Sequence, residues 1–172
     1  MRFRNEAETE ALLMSHYEQY YRLAYSYVKS EQDALDIVQE SAYKAIKGCR
    51  KVKEPDYLAT WIYRIVVNTS MDHLRKRREE PMEEDILEVH RNAGQPETSF
   101  SGQTEDRLVI RELLDRLSTE EKTVIILRYF EEKKIEEIAA ITGETVSTVK
   151  SRLYRTLRKL KTQLGDRWEE SE

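Results

Sequence analysis

Three groups of side chains in this sequence have the types and spacing to make contacts of functional consequence. Asp33, Asp36, Gln39 and Glu40 recur at helical steps as one acidic and amide-bearing patch. Trp61, Arg64, Asn68, Asp72 and Arg75 follow at steps of three, four, four and three, and run into Lys76, Arg77 and Arg78. Residues 145–161 hold six basic side chains and no acidic one, with Thr145, Ser147, Thr148 and Ser151 among them. Paired carboxylates can do acid–base chemistry, but no nucleophile, histidine or metal ligand accompanies the acidic patch. The two basic groups suit phosphate and base contacts instead.

The hydroxyl-rich basic stretch sits in a recognisable frame. Ile135–Tyr154 fits a helix-turn-helix: Ala139 where two helices touch, Gly143 four residues later for a left-handed turn, Val149 six further on pointing back. Ile138, Val146, Leu153 and Leu157 are expected to fill the other inward positions. Thr145, Ser147, Thr148, Lys150, Ser151, Arg152, Tyr154, Arg155 and Arg158 then remain for DNA, with Arg able to take guanine bidentately. A solvated basic helix is the bland alternative; the Ala–Gly–Val spacing favours DNA.

These groups are positioned by helices. Strand-like alternation is absent. A first helix is expected over Ala7–Lys29, with Leu13, Tyr17, Tyr20, Ala24 and Tyr27 on its inner stripe. A second runs from Glu31 to about Lys47, burying Ala34, Ile37, Val38, Ala42 and Ala45, with Gly48 as its stop. After a Gly48–Pro55 loop, a third runs from about Asp56 to Arg78, with Ile62, Ile65, Val66, Thr69 and Leu74 inward. Tyr57, Trp61 and Tyr63 are candidates for stacking on bases, or, for Trp61, equally for core packing. Later, Asp106–Leu117 is amphipathic, and Ser118-Thr119-Glu120-Glu121 is a capping box opening a helix with Val124, Ile125, Leu127, Arg128 and Tyr129. Two helices follow, Ile135–Thr142 and Thr145–Leu164.

Charge is distributed unevenly. The whole chain of 172 residues carries −4, which by itself argues against a nucleic-acid binder. Residues 1–54 are neutral, 55–78 carry +3, 79–106 carry −8 and 107–172 carry +1. The acidic segment also holds Pro81, Pro96, Gly94 and Gly102, and reads as a linker with a short helical piece around Asp85–Val89. The expected architecture is therefore all-α: two small helical domains, 1–78 and 107–172, joined by a flexible acidic linker over 79–106.

Several classes are excluded. No apolar run is long enough to span a membrane, and Met1–Glu6 lacks a signal-peptide pattern, so a cytoplasmic protein is expected. Cys49 is alone, so no intrachain disulfide forms. His16, His73 and His90 are scattered away from any cysteine pair, so no metal site is expected, and no glycine-rich loop cradles a phosphate-bearing cofactor.

Taken together, these motifs resemble the extracytoplasmic-function sigma factors, alternative initiation factors of bacterial RNA polymerase. Leu12–Arg78 resembles their region two and Leu113–Lys161 their region four. Asp33–Glu40 looks like the polymerase-binding signature, and Trp61–Asn68 through Asp72–Lys76 like the promoter −10 signature. The resemblance implies that Asp33, Asp36, Gln39 and Glu40 face the clamp helices of core polymerase, with the flap as a further contact. It implies that the Gly48–Pro55 loop with Trp61, Arg64, Asn68 and Asp72 reads the −10 element as single strand, and that Arg75, Lys76, Arg77 and Arg78 hold phosphates. Thr145 to Arg158 would read the −35 element as duplex. It further implies no catalytic residue, no cofactor, no small-molecule substrate, and control by an anti-sigma factor, often membrane-anchored.

The linker length is compatible. The two promoter elements lie about 70 Å apart. Twenty-eight residues reach about 90–100 Å fully extended, against a relaxed span of about 30 Å. Its acidity either mimics nucleic acid along the polymerase or simply keeps it solvated. Two rivals stand beside this reading: a helix-turn-helix regulator whose front half dimerises or senses, and, more remotely, a metal-dependent nucleic-acid enzyme using the acidic helix.

Overall fold

The computed structural model describes residues 2–79 and 104–170, which are helical in both parts. They fall into two compact units that divide between Glu97 and Thr98. Most of the acidic segment, including the expected helical piece at Asp85–Val89, lies outside the described residues.

The first unit contains α1 (Arg2–Ser15), α2 (Tyr17–Val28), α3 (Glu31–Gly48) and α4 (Leu58–Glu79), with short 3₁₀ turns at Cys49–Lys51 and Pro55–Tyr57. Its core is the mutual contact of α2, α3 and α4. Tyr20, Leu23 and Ala24 from α2, Ala34 and Ile37 from α3, and Leu58, Ile62, Val66 and Val67 from α4 are all buried there. Tyr20 and Tyr63 meet edge to face with ring centroids 5.1 Å apart, a favoured arrangement of aromatic quadrupoles.

The single first helix expected over Ala7–Lys29 is two helices. His16 leaves helical geometry at φ −111°, ψ 16°, which separates α1 from α2. Tyr20, Ala24 and Tyr27 are buried as expected, whereas Tyr17, just past the break, is exposed. Lys29 ends α2 in the left-handed region, and Ser30 starts α3 by accepting a hydrogen bond from the Asp33 backbone N–H at 3.3 Å.

Gly48 ends α3 as expected, but without a left-handed conformation. Its φ is −98°, and the chain simply tightens into the 3₁₀ turn. The reason for glycine is packing. A methyl group there would come within 3.0 Å of Trp61 Cζ2. On α3 the inner stripe uses Ser41 where Ala42 was expected, and on α4 Tyr63, Val67 and Ser70 join Ile62, Val66 and Thr69 while Ile65 and Leu74 are half-buried. Burial on α4 is broad because α2 and α3 both pack against it.

The second unit contains α5 (Thr104–Asp115), α6 (Thr119–Ile125), a π-helical turn at Ile126–Phe130, α7 (Ile135–Thr142) and α8 (Val146–Glu170). The capping box forms: Ser118 Oγ accepts from Glu121 N at 3.2 Å and Ser118 N donates to Glu121 Oε2 at 3.0 Å. Gly143 holds φ 72°, which a β-carbon would strain, and the Glu144 N–H closes the turn onto Ala139 O at 3.1 Å. Ala139, Ile138, Val149 and Leu153 are buried at the contact of α7 and α8. Val146 is not: it is 36% exposed, because it occupies the first turn of α8, ahead of the helix contact.

Candidate polymerase and promoter-DNA interfaces

The acidic patch on α3 is divided by its partners. Asp36 and Gln39 are exposed, and Gln32 donates to Asp36 at 3.3 Å. Asp33 instead pairs with the guanidinium of Arg77, which also donates to Val28 O at 2.8 Å. Glu40 accepts from His73 Nε2 at 3.0 Å and pairs with Lys44 at 3.0 Å, while Lys44 also donates to Thr69 Oγ1 at 3.1 Å. The hydrogen bond from His73 holds the Glu40 carboxyl below its ordinary value; partial burial opposes this and Lys44 adds to it. Asp33 and Glu40 are thus joined to α4, and Asp36 and Gln39 form the outward part of the patch.

On α4, Arg64 and Asn68 are exposed on one face, followed by Asp72, which accepts from Arg75 at 3.0 Å. Arg75, Lys76 and Arg78 are exposed. Arg77 faces the other way, into its contact with Asp33. Tyr63 is buried in the core, which removes it as a stacking candidate. Trp61 is half-buried and, with Tyr57, walls an open cleft of 340 Å³ whose other side is Lys51, Val52, Lys53 and Glu54. Lys51 and Lys53 supply cations at this cleft that residue spacing alone did not single out; the signal was their place inside the Gly48–Pro55 loop.

On α8, Thr145 caps the helix: its Oγ1 accepts from Thr148 N at 3.1 Å and lies 2.9 Å from Thr148 Oγ1. Ser147, Thr148, Lys150, Ser151, Tyr154, Arg155 and Arg158 are exposed as expected. Arg152 is partly covered and pairs with Glu144 from the turn. Thr156 is fully buried and donates back to Arg152 O at 2.7 Å, fixing the backbone beneath that side chain. Glu121, behind the site, is pushed up by burial but held below its ordinary value overall by the Ser118 N–H and Lys159. Among the described residues, no cluster of His, Cys, Asp or Glu could hold a metal ion.

A bundle whose α3 presents carboxylates and whose α4 presents an aromatic-to-basic stripe, together with a helix-turn-helix whose second helix is basic and hydroxyl-rich, defines a class. Residues 12–80 match sigma-70 region 2, and residues 107–160 match sigma-70 region 4. The chain is 43% identical over 164 residues to RNA polymerase sigma factor SigV of Bacillus subtilis, covering 91% of this chain and 93% of that protein. It is 34% identical over 136 residues to the ECF RNA polymerase sigma-E factor of Haemophilus influenzae, covering 73% and 71%. In fold it is similar to the sigma factor RpoE of Bartonella quintana, solved with the anti-sigma factor NepR, at a TM-score of 0.68 and 24% identity, covering 92% of this chain and 95% of that one. It is also similar to CnrH, solved with the cytosolic domain of CnrY, at a TM-score of 0.69 and 22% identity, covering 96% and 95%.

The chain belongs to the extracytoplasmic-function sigma factors of the sigma-70 family. It is an alternative sigma factor, directing promoter-specific initiation of transcription.

Proposed function

We propose that this sigma factor divides its work between the two units as follows. The first, residues 1–78, docks on core RNA polymerase through the outward residues of α3, Asp36 and Gln39, with Asp33 and Glu40 joining that face to α4. Arg64, Asn68 and Asp72, with the loop and cleft beside Trp61, read the −10 element as single strand, and Arg75, Lys76 and Arg78 hold its phosphates. The second unit, residues 107–172, lays α8 in the major groove of the −35 element and meets the polymerase flap. Residues 79–106 connect them.

The observation that carries this reading is the sorting of α8. From 145 to 161 there is no acidic residue, and Thr145, Ser147, Thr148, Lys150, Ser151, Arg155 and Arg158 lie outside while Val149, Leu153 and Thr156 face in. A helix selected only for solubility would mix both signs of charge on its open face.

The reaction chemistry belongs to the polymerase; this chain supplies binding and position, with no cofactor and no small-molecule substrate. It works in the cytoplasm, and among the described residues no helix is long and apolar enough to cross a membrane. Its regulator is an anti-sigma factor, a reading supported by the solved neighbour RpoE, which is bound to the anti-sigma factor NepR.

Run-off transcription with core polymerase over a promoter library tests the assignment. Initiation at promoters sharing −35 and −10 elements, dependent on both, is expected. Specific promoter binding by the chain alone, with no association with core polymerase, would favour a free-standing helix-turn-helix regulator.

A further inference from the structure

Asn5 lies on α1, ahead of residues 12–80, the part of the chain that matches region 2. Its amide Nδ2 donates to two loop carbonyls, Cys49 O at 3.1 Å and Val52 O at 2.9 Å. The next residue, Glu6, pairs with Arg50, and one turn along buried Thr9 donates to Asn5 O at 2.6 Å, bracing the helix there. Two carbonyls three residues apart, held by one planar amide, fix the backbone at both ends of the 3₁₀ turn Cys49–Lys51.

That turn builds one side of the cleft against Trp61. Lys51, Val52 and Lys53 follow directly from it, and Trp61 is seated from the other direction on Gly48. The cleft is lined by two aromatic side chains, Tyr57 and Trp61, and by two lysines, Lys51 and Lys53, against the single carboxylate of Glu54. This suits an unstacked base and its phosphate. A site of this kind is only as well defined as its loop. Buried Cys49 anchors the start of the turn through its Sγ, which donates to Ile46 O at 3.2 Å, and the two Asn5 hydrogen bonds tie both ends of the turn to α1.

We propose that Asn5 is a positioning residue for promoter opening: through its paired hydrogen bonds it sets the Cys49–Lys53 backbone against Trp61, so that the cleft is formed before a −10 base enters. This rests on the reading of the loop as the −10 contact. A preformed cleft avoids ordering the loop on binding, which raises affinity without adding any contact to DNA.

The test uses the full chain carrying Trp168→Phe, which leaves Trp61 as the single tryptophan. Asn5→Asp keeps the shape but replaces the donor with a carboxylate facing two carbonyls; Asn5→Ala removes the bonds without adding charge. Acrylamide quenching of Trp61 in the free protein reports the cleft. Holoenzyme affinity for a fluorescent single-stranded −10 oligonucleotide reports its use, and affinity for core polymerase serves as the control. Both variants are expected to raise Trp61 quenching and weaken oligonucleotide binding about 10-fold, with core affinity unchanged. Asn5→Asp should exceed Asn5→Ala. Unchanged quenching in both variants overturns the proposal. So does unchanged oligonucleotide affinity where Tyr57→Ala weakens it. If Tyr57→Ala also leaves oligonucleotide affinity unaltered, the loop is not the −10 reader, and the reading and the proposal fall together.

Discussion

Arg77 pairs with Asp33 across 44 residues of sequence and donates its second nitrogen to Val28 O at 2.8 Å. One clasp therefore joins the last turn of α4, the first turn of α3 and the end of α2. The family resemblance assigns Asp33 to the polymerase face and Arg77 to the phosphate-holding cluster. Paired side chains only 32% and 26% exposed are committed to each other, and the clasp ties α3 to α4.

Arg77→Ala should accordingly act on stability before it acts on DNA. Losing hydrogen bonds to a charged group in a half-buried setting costs about 1.5–3 kcal/mol. Arg78→Ala, on an exposed neighbour, should cost less than about 0.5 kcal/mol. Urea unfolding of the two variants separates them. Equal stabilities would remove the clasp from the account.

Glu40 gives the first unit a defined acid sensitivity. Its folded carboxyl sits below the ordinary 4.5, chiefly through the His73 hydrogen bond. A depressed carboxylate contributes stability that is fully present above the unfolded value and is lost as pH falls through the folded one. Glu40→Gln should therefore be less stable than the parent above about pH 4.5, with the difference closing in more acid solution. Denaturant melts at a series of pH values measure this; a difference that stays constant with pH would refute the assignment.

Polymerase docking should depend on the exposed pair more cleanly than on the whole patch. Asp36→Arg combined with Gln39→Ala should weaken core binding by at least about 10-fold and leave the fold intact, a loss typical of reversing one interface charge and truncating its neighbour. Asp36→Arg with Glu40→Arg should weaken binding too, but at a cost in stability, because the second change sets a cation beside Lys44 and His73. Pull-down affinities and thermal melts read together distinguish the two effects. Unchanged affinity in both pairs would place the clamp contact elsewhere.

Arg152 is the side chain on which −35 readout is expected to turn. If it takes a guanine bidentately, Arg152→Ala should cost about 1–3 kcal/mol and relax selectivity at one base pair. Its pairing with Glu144 adds a second expectation. Glu144→Ala should alter that same selectivity, and the double variant should resemble Arg152→Ala alone. Competition binding across −35 point variants measures both; strictly additive effects would break the link.

The sequence by itself determined most of the architecture. The Ala139, Gly143 and Val149 spacing required a turn that only one conformation of the chain makes, and Gly143 adopts it at φ 72°. The Ser118 capping box is local, involving neighbours three residues apart, and so it was legible before any packing was known. Burial of the α3 stripe followed from periodicity, since the outward side of a helix against a bundle is set by its apolar positions.

What tertiary structure alone decided was which charged residues are spoken for. Adjacency in the chain groups Arg77 with Arg75, Lys76 and Arg78, but the approach of α3 and α4 gives it a carboxylate and gives Glu40 to His73, while in the second unit the turn before α8 gives Glu144 to Arg152. The same holds for Gly48, whose use is room for Trp61, and for Asn5, whose two acceptors lie 44 and 47 residues away. Helical spacing reports neighbours within about one turn; a partner contributed by another helix depends on crossing angle and depth, which emerge only when the core has packed.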